Sequence, residues 1–66
     1  MKKVYTREEV VSLLIKHGFE DAGWRGSHYR MRRGSLIIHI PKNVIMWRVY
    51  VKKIFRRAGI SEEELE

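Results

Sequence analysis

The middle of the chain constrains the fold most, because it reads as two β-strands joined by a tight turn. Polar and apolar residues alternate from His28 to Arg32, a mostly apolar run follows Gly34, and glycine accepts the positive φ of a hairpin turn at little cost. We therefore predict strands over His28–Arg32 and Ser35–Ile40, with Arg33-Gly34 as a two-residue turn. Pro41 should end the second strand, since proline has no N–H to donate to a ladder.

This turn fixes a register and so sorts the hairpin side chains onto two faces. It places Met31 opposite Leu36 and His28 opposite His39, and opposed residues share a face. The face expected to pack under helices carries Tyr29, Met31, Leu36 and Ile38. The other face carries His28, Arg30, Arg32, Ser35, Ile37 and His39.

A first helix is predicted from about Arg7 to His17. Thr6 is its expected N-cap, Glu9 completes a capping box three residues later, and Gly18 supplies the stop. The weaker alternation that follows predicts a first strand over Phe19–Trp24.

A second helix is predicted from about Ile45 or Trp47 to Ala58, after a short polar connection at Lys42-Asn43. Gly59 is its expected stop, and a last helical turn follows. Its apolar stripe comprises Trp47, Val51, Ile54, Phe55 and Ala58, and the tail's capping box comprises Ser61 and Glu64. The order is α-β-β-β-α, an α+β fold with a three-stranded antiparallel sheet, in one small domain spanning residues 1–66.

Charge is the feature that bears most directly on function. The net charge is +6, and ten Lys or Arg but no Asp or Glu lie between Ala22 and Ser61. Such a segment is suited to a polyanion, and RNA is the obvious candidate. The absence of cysteine excludes disulfides and thiolate metal sites, and no apolar run reaches the roughly 20 residues of a membrane span. We expect a cytoplasmic protein without membrane contact.

Four ordered segments resemble the HicA (YcfA-like) family of small mRNA-interferase toxins. They are Lys16-His17-Gly18-Phe19, Arg25-Gly26-Ser27-His28, Ile40-Pro41 and the helix Val49–Ser61. The resemblance implies a fold like the double-stranded-RNA-binding domain, with both helices on one face of the sheet. It also implies mRNA cleavage by the histidine of the Gly-Ser-His motif, which maps onto His28, and neutralisation by a HicB-type antitoxin. The chain departs from many members at Tyr29, where they have a second histidine, and at Lys42-Asn43-Val44-Ile45, where they have a histidine-containing loop.

The residues themselves suggest how RNA could be cut without a metal ion. His28 is the candidate general base or acid, since imidazole exchanges protons near neutral pH. Arg30 and Arg32 are expected to hold the phosphate, and Ser27 to orient the imidazole or donate to phosphate. Without the resemblance, a solvated surface histidine would be the simpler interpretation of His28.

Other candidates have both a functional and a structural interpretation. His39 is the natural catalytic partner in the predicted register, although a histidine on an apolar strand is more often a packing residue. Arg25, Lys52 and Lys53 complete the predicted RNA-binding set, but helical lysines often serve only solubility. Trp24 and Trp47 could stack on bases, although helical spacing favours the core for Trp47, and Trp24 could belong to the core or to its rim.

The remaining aromatic and histidine residues are expected to be structural, and no cofactor is implied. The core assignments are Trp47, Tyr29 and Met31, and His17 is assigned to the helix end. The histidines lack nearby carboxylates, so we predict no metal site.

Three functions therefore remain open at this point. The first is an endoribonuclease toxin, the second a non-catalytic RNA- or DNA-binding module of the same fold, and the third a regulatory subunit whose basic face meets an acidic protein. The oligomeric state, the cleavage-site preference and the identity of an antitoxin do not follow from the sequence.

Overall fold

The computed structural model describes residues 2–42 and 45–65, and it shows an α+β fold with two helices and a three-stranded antiparallel sheet. The elements in chain order are β1 (Val4–Thr6), α1 (Arg7–Lys16), β2 (Glu20–Arg25), β3 (His28–Arg33), β4 (Leu36–Pro41), β5 (Ile45–Trp47), α2 (Arg48–Ala58) and a short 3₁₀ helix (Glu62–Glu64). The main sheet has the strand order β2-β3-β4, and β1 and β5 form a separate two-stranded ribbon. The predicted α-β-β-β-α order is confirmed. The ribbon was not predicted, and Asn43 of the predicted polar connection lies outside the described residues.

The predicted caps are present at the helix ends. The Thr6 Oγ1 accepts a hydrogen bond from the backbone N–H of Glu9 at 3.1 Å, and the Glu9 carboxylate accepts from the N–H of Thr6 at 2.8 Å. His17 is the C-cap of α1 rather than its last residue, and Gly59 ends α2 with a φ of 75°. In the tail, Ser61 is the N-cap, but the predicted capping box with Glu64 is wrong: the Ser61 side chain accepts from the N–H of Glu63, and the Glu64 carboxylate lies 3.3 Å from His17 Nε2.

The predicted hairpin turn is wrong, because the observed turn lies one residue later in the chain. The turn residues are Gly34 and Ser35, and Arg33 belongs to β3, where it pairs with Leu36. Gly34 has a φ of 61° whereas Ser35 has no positive φ, as a two-residue turn with glycine at its first central position requires. Ser35 therefore lies in the turn and not on a sheet face.

The corrected register shifts every pair by two positions, which leaves the two faces unchanged because side chains alternate with a period of two. His28 now lies opposite Pro41, and Arg30 lies opposite His39. Tyr29 pairs with Ile40. The first strand is also displaced by one residue, since β2 ends at Arg25.

The core lies between the sheet and both helices. Its buried apolar side chains come from β3 and β4 (Met31, Ile38 and Ile40), α1 (Val10 and Leu14) and α2 (Val51, Ile54, Phe55 and Ala58), with further contributions from the ribbon and the tail. Met31 is fully buried, as predicted, and Tyr29 packs against this core while remaining partly exposed. Because both helices cover one face of the sheet, the other face is left to solvent.

The prediction that Trp47 belongs to the core is wrong. Trp47 is 65% exposed, and it precedes the first residue of α2, so helical spacing does not apply to it. It is the last residue of β5, in which only the central Met46 is buried, opposite Tyr5 of β1. No helix within residues 2–42 and 45–65 is long and apolar enough to cross a membrane.

One side chain at the end of β3 joins the sheet to both helices. Arg33 donates from Nη1 to the carbonyl oxygen of His17 and from Nη2 to that of Ala58, each at 3.0 Å. Its guanidinium also lies 4.5 Å from the ring centroid of Phe19. These carbonyls are at the C-terminal ends of α1 and α2, where the helix dipole favours a cation.

We predict that Arg33→Ala lowers the free energy of unfolding by about 1–3 kcal/mol, because two hydrogen bonds from a charged donor are lost. Arg32→Ala is the matched control, since Arg32 is the preceding residue on the uncovered face and is exposed. Urea denaturation followed by circular dichroism measures both. Equal stabilities of the two variants would show that the Arg33 contacts do not hold the helices.

Candidate functional site

The two hairpin histidines come together on the uncovered face of the sheet. The ring centroids of His28 and His39 are 6.3 Å apart, and the rings meet edge to face at 87°. Both residues are exposed. They are diagonal neighbours rather than the directly opposed pair predicted, because the turn lies one residue later. The predicted proximity therefore holds although the predicted pairing does not.

Arg30 lies next to this pair, and a hydrogen bond to the backbone holds its side chain in place. Its Nη2 donates to the carbonyl oxygen of Ala22 at 2.9 Å, where a bulge between Asp21 and Trp24 interrupts the pairing of β2 with β3. The side chain is half-buried, and its Nε has no hydrogen-bond partner among the described residues. The bulge thus fixes a cation beside His39, the residue directly opposite Arg30.

Two of the other predicted cations, Arg25 and Arg32, and Ser27 lie around the histidines on the same sheet or at its β2–β3 turn. Arg25 is paired with His28 across the β2–β3 ladder, and Ser27 is in the turn between these strands. Arg32 lies further along β3, opposite Glu20 on one side and Ile37 on the other. Arg25, Ser27 and Arg32 are all exposed, so their polar groups can reach a ligand on this face.

Lys52 and Lys53, which were predicted to bind RNA together, have different surroundings in the structure. Lys53 lines a groove of about 340 Å³ at the β4 edge, together with His39, Tyr50 and Arg57. Lys52 instead has its Nζ 3.3 Å from the carboxylate of Glu62. Only Lys53 therefore extends the basic surface around His39, whereas Lys52 faces the tail.

A second groove contains residues that sequence reasoning did not connect. It has a volume of about 440 Å³ and lies between α1 and the β2–β3 hairpin, lined by Arg7, Glu8, Val11, Ser12, Trp24 and Tyr29. The Trp24 and Tyr29 rings are 5.3 Å apart, and the Arg7 guanidinium is 5.3 Å from the Trp24 ring. Trp24 is thus a rim residue, 49% exposed. Arg7 was missed because only the fold brings the helix start to the hairpin.

The pKa of the Tyr29 hydroxyl is raised above its usual value. Burial is the largest cause, and a hydrogen bond and charge repulsion from Asp21 add to it, while the Arg7 charge acts in the opposite direction. Asp21 also accepts a hydrogen bond from the N–H of Gly23 at 2.6 Å within the bulge. Asp21 therefore supports both the bulge that holds Arg30 and the ring that adjoins Trp24.

The third histidine lies at the C-terminal end of α1. The Nε2 of His17 is 3.3 Å from the carboxylate of Glu64, so His17 joins α1 to the tail. Across the described part of the chain, no group of three or more His, Cys, Asp or Glu residues is arranged to hold a metal ion.

Comparison with family models, with curated proteins and with solved structures gives no match to this chain.

We predict that Asp21→Asn lowers the Tyr29 pKa towards the usual tyrosine value, because the variant removes a negative charge but keeps an oxygen acceptor for Gly23. Arg7→Ala should move the pKa further upwards, since the Arg7 charge lowers it. Nuclear magnetic resonance of ¹³Cζ-labelled tyrosine resolves Tyr29 from Tyr5 and Tyr50 during titration. No displacement in either variant would contradict the described contacts.

Proposed function

We propose that this chain is a metal-independent endoribonuclease that cuts mRNA with His28 and His39 as its acid–base pair. The observation that carries the proposal is the pair of exposed imidazoles 6.3 Å apart on the uncovered face, next to Arg25, Arg30 and Arg32 of the same sheet. The resemblance of the Gly-Ser-His segment to the HicA toxins supports the same reaction and the same histidine.

The reaction needs one proton removed and one delivered. One imidazole takes the proton from the ribose 2′-hydroxyl, whose oxygen then bonds to phosphorus. The bond from phosphorus to the 5′-oxygen breaks, and the second imidazole gives that oxygen a proton. The products are a 2′,3′-cyclic phosphate and a 5′-hydroxyl, with no redox change. Because both rings lie on one face, both can reach one phosphodiester.

The surrounding cations would stabilise the charge that develops on the phosphate oxygens. Arg30 is the best placed, since the bulge fixes it beside His39 before a substrate arrives. Arg25 and Arg32 are exposed and would hold the neighbouring phosphates, and Lys53 would continue the path along the groove. Ser27 would donate to phosphate from the turn.

We predict that His28→Ala and His39→Ala each slow RNA cleavage by about 100-fold or more, because each removes one proton-transfer group. His17→Ala is the matched control, since His17 contacts Glu64 and lies outside the site. The assay incubates each purified variant with a long single-stranded RNA in chelator, and thermal unfolding verifies that the variants are folded.

Three outcomes separate the candidate functions. Cleavage lost in the His28 and His39 variants but kept in the His17 variant supports the proposal. RNA bound tightly by the unmutated chain, yet never cut at large protein excess, would favour the non-catalytic binding module. Cleavage retained by a folded His28→Ala variant would remove His28 from the mechanism.

We predict that RNA affinity falls with salt by about 0.7 log units per tenfold increase for each phosphate contact. Arg32→Ala and Lys53→Ala should each flatten this slope, whereas Lys52→Ala should change it less, because Lys52 already lies against Glu62. Fluorescence anisotropy of a labelled RNA at several salt concentrations measures the slope. An affinity that hardly responds to salt would favour an acidic protein as the partner of this face.

We also propose, from the resemblance alone, a toxin acting in the cytoplasm and restrained by a HicB-type antitoxin. The exposure of His28, Arg25 and Arg32 is compatible with occlusion by a partner's acidic groups. Electrostatic attraction would make that association fast at low salt.

A further inference from the structure

The groove between α1 and the β2–β3 hairpin has no role in the cleavage chemistry, yet it exposes a large aromatic side chain. Trp24 is 49% exposed, although an indole is normally among the more buried side chains of a small domain. Its ring is supported from within the chain by Tyr29 and by the Arg7 guanidinium, each 5.3 Å away. Such a supported, exposed ring is suited to stacking against another flat group.

The charges of this groove favour a flat polar ligand over a bare anion. Arg7 and Glu8 bring opposite charges to its lining, so the groove lacks the single positive sign of the His28 face. Ser12 and Glu8 supply hydrogen-bonding groups beside the aromatic rings. A nucleobase combines a stacking face with a polar edge, and base–aromatic stacking is the usual means of holding single-stranded RNA.

The groove is also close in the chain to the proposed cleavage site. Trp24 precedes Arg25 and Tyr29 follows His28, so each aromatic is one residue from a group of the catalytic face. The two faces meet at the end of the hairpin, where the Gly26-Ser27 turn joins β2 to β3. On the groove side, Arg7 donates to the carbonyl oxygen of Lys42 at 2.9 Å, one residue beyond Pro41, the partner of His28.

We propose that this groove is a base-binding subsite, in which one base of a single-stranded RNA stacks on Trp24 while a neighbouring phosphate lies at His28. The inference rests on the proposed function, because it takes RNA to be the ligand. It adds a contact to a base rather than to the backbone, and so a preference for unpaired bases that the arginines cannot provide.

The test reads base stacking from the fluorescence of Trp24 in a Trp47→Phe background, where Trp24 is the sole indole, and reads affinity from the anisotropy of labelled oligonucleotides. The ligands are a 2′-O-methyl oligonucleotide, which cannot be cleaved through its 2′-oxygen, and an abasic oligonucleotide with the same number of phosphates. The normal bases should quench Trp24 and bind about tenfold more tightly than the abasic strand. Trp24→Ala should abolish that difference, whereas Arg32→Ala should weaken both ligands equally and keep it.

The failures of the two proposals can be told apart. If both oligonucleotides bind with the same affinity and Trp24 is not quenched, the proposed base subsite is wrong, but RNA binding by the basic face is supported. If neither binds, both proposals fall. If the normal oligonucleotide quenches Trp24 but natural RNA is never cut, the subsite stands and the nuclease proposal falls.

Discussion

Arg33 makes the contact that ties the sheet to the ends of both helices. It is the last residue of β3, and its guanidinium donates to the carbonyl oxygens of His17 and Ala58 at the ends of both helices. The glycines that end the helices lie beside it, since a Cβ added to Gly18 or Gly59 would be 3.5 Å or 3.8 Å from Arg33 atoms. A chain of 66 residues has a small core, so one cation that fixes three elements matters more than in a larger domain.

Holding both helices to one face has a direct consequence for the other face. The covered face supplies the buried residues Met31, Ile38 and Ile40, and the alternation of the strands places His28, Arg30 and His39 on the uncovered face. The uncovered face therefore carries two imidazoles and several cations, and none of these residues belongs to the core. The bulge in β2 holds one of these cations in place, because the carbonyl oxygen of Ala22 accepts from Arg30.

The sequence predicted much of this fold because its strongest signals are local. The capping box at Thr6, the stop at Gly59 and the sorting of hairpin residues into two faces all depend on neighbours in the chain. The register failed because Arg33-Gly34 and Gly34-Ser35 are both acceptable turns in isolation. Keeping Arg33 in the strand lets it reach the helix ends, which is a tertiary contact that no local pattern reveals.

The other misses have similar causes. The β1–β5 ribbon has strands of three residues, which are too short for an alternation to be recognised. Because Trp47 belongs to β5, it does not lie in the helix to which it was assigned. For the site, the sequence identified the histidines and arginines of one hairpin. It could not predict that Arg7 lies beside Trp24, or that Lys53 lies near His39 while Lys52 contacts Glu62. Those contacts arise only when the helices pack on the sheet.

The central claim is that the His28–His39 face cuts RNA through its 2′-oxygen, and one substrate tests it most directly. An RNA with one strongly cut position is compared with the same RNA carrying a single 2′-deoxynucleotide on the 5′ side of that bond. We expect the unmodified RNA to yield a 2′,3′-cyclic phosphate and a 5′-hydroxyl, while the deoxy position is left intact although the strand still binds. Cleavage at the deoxy position would contradict this mechanism.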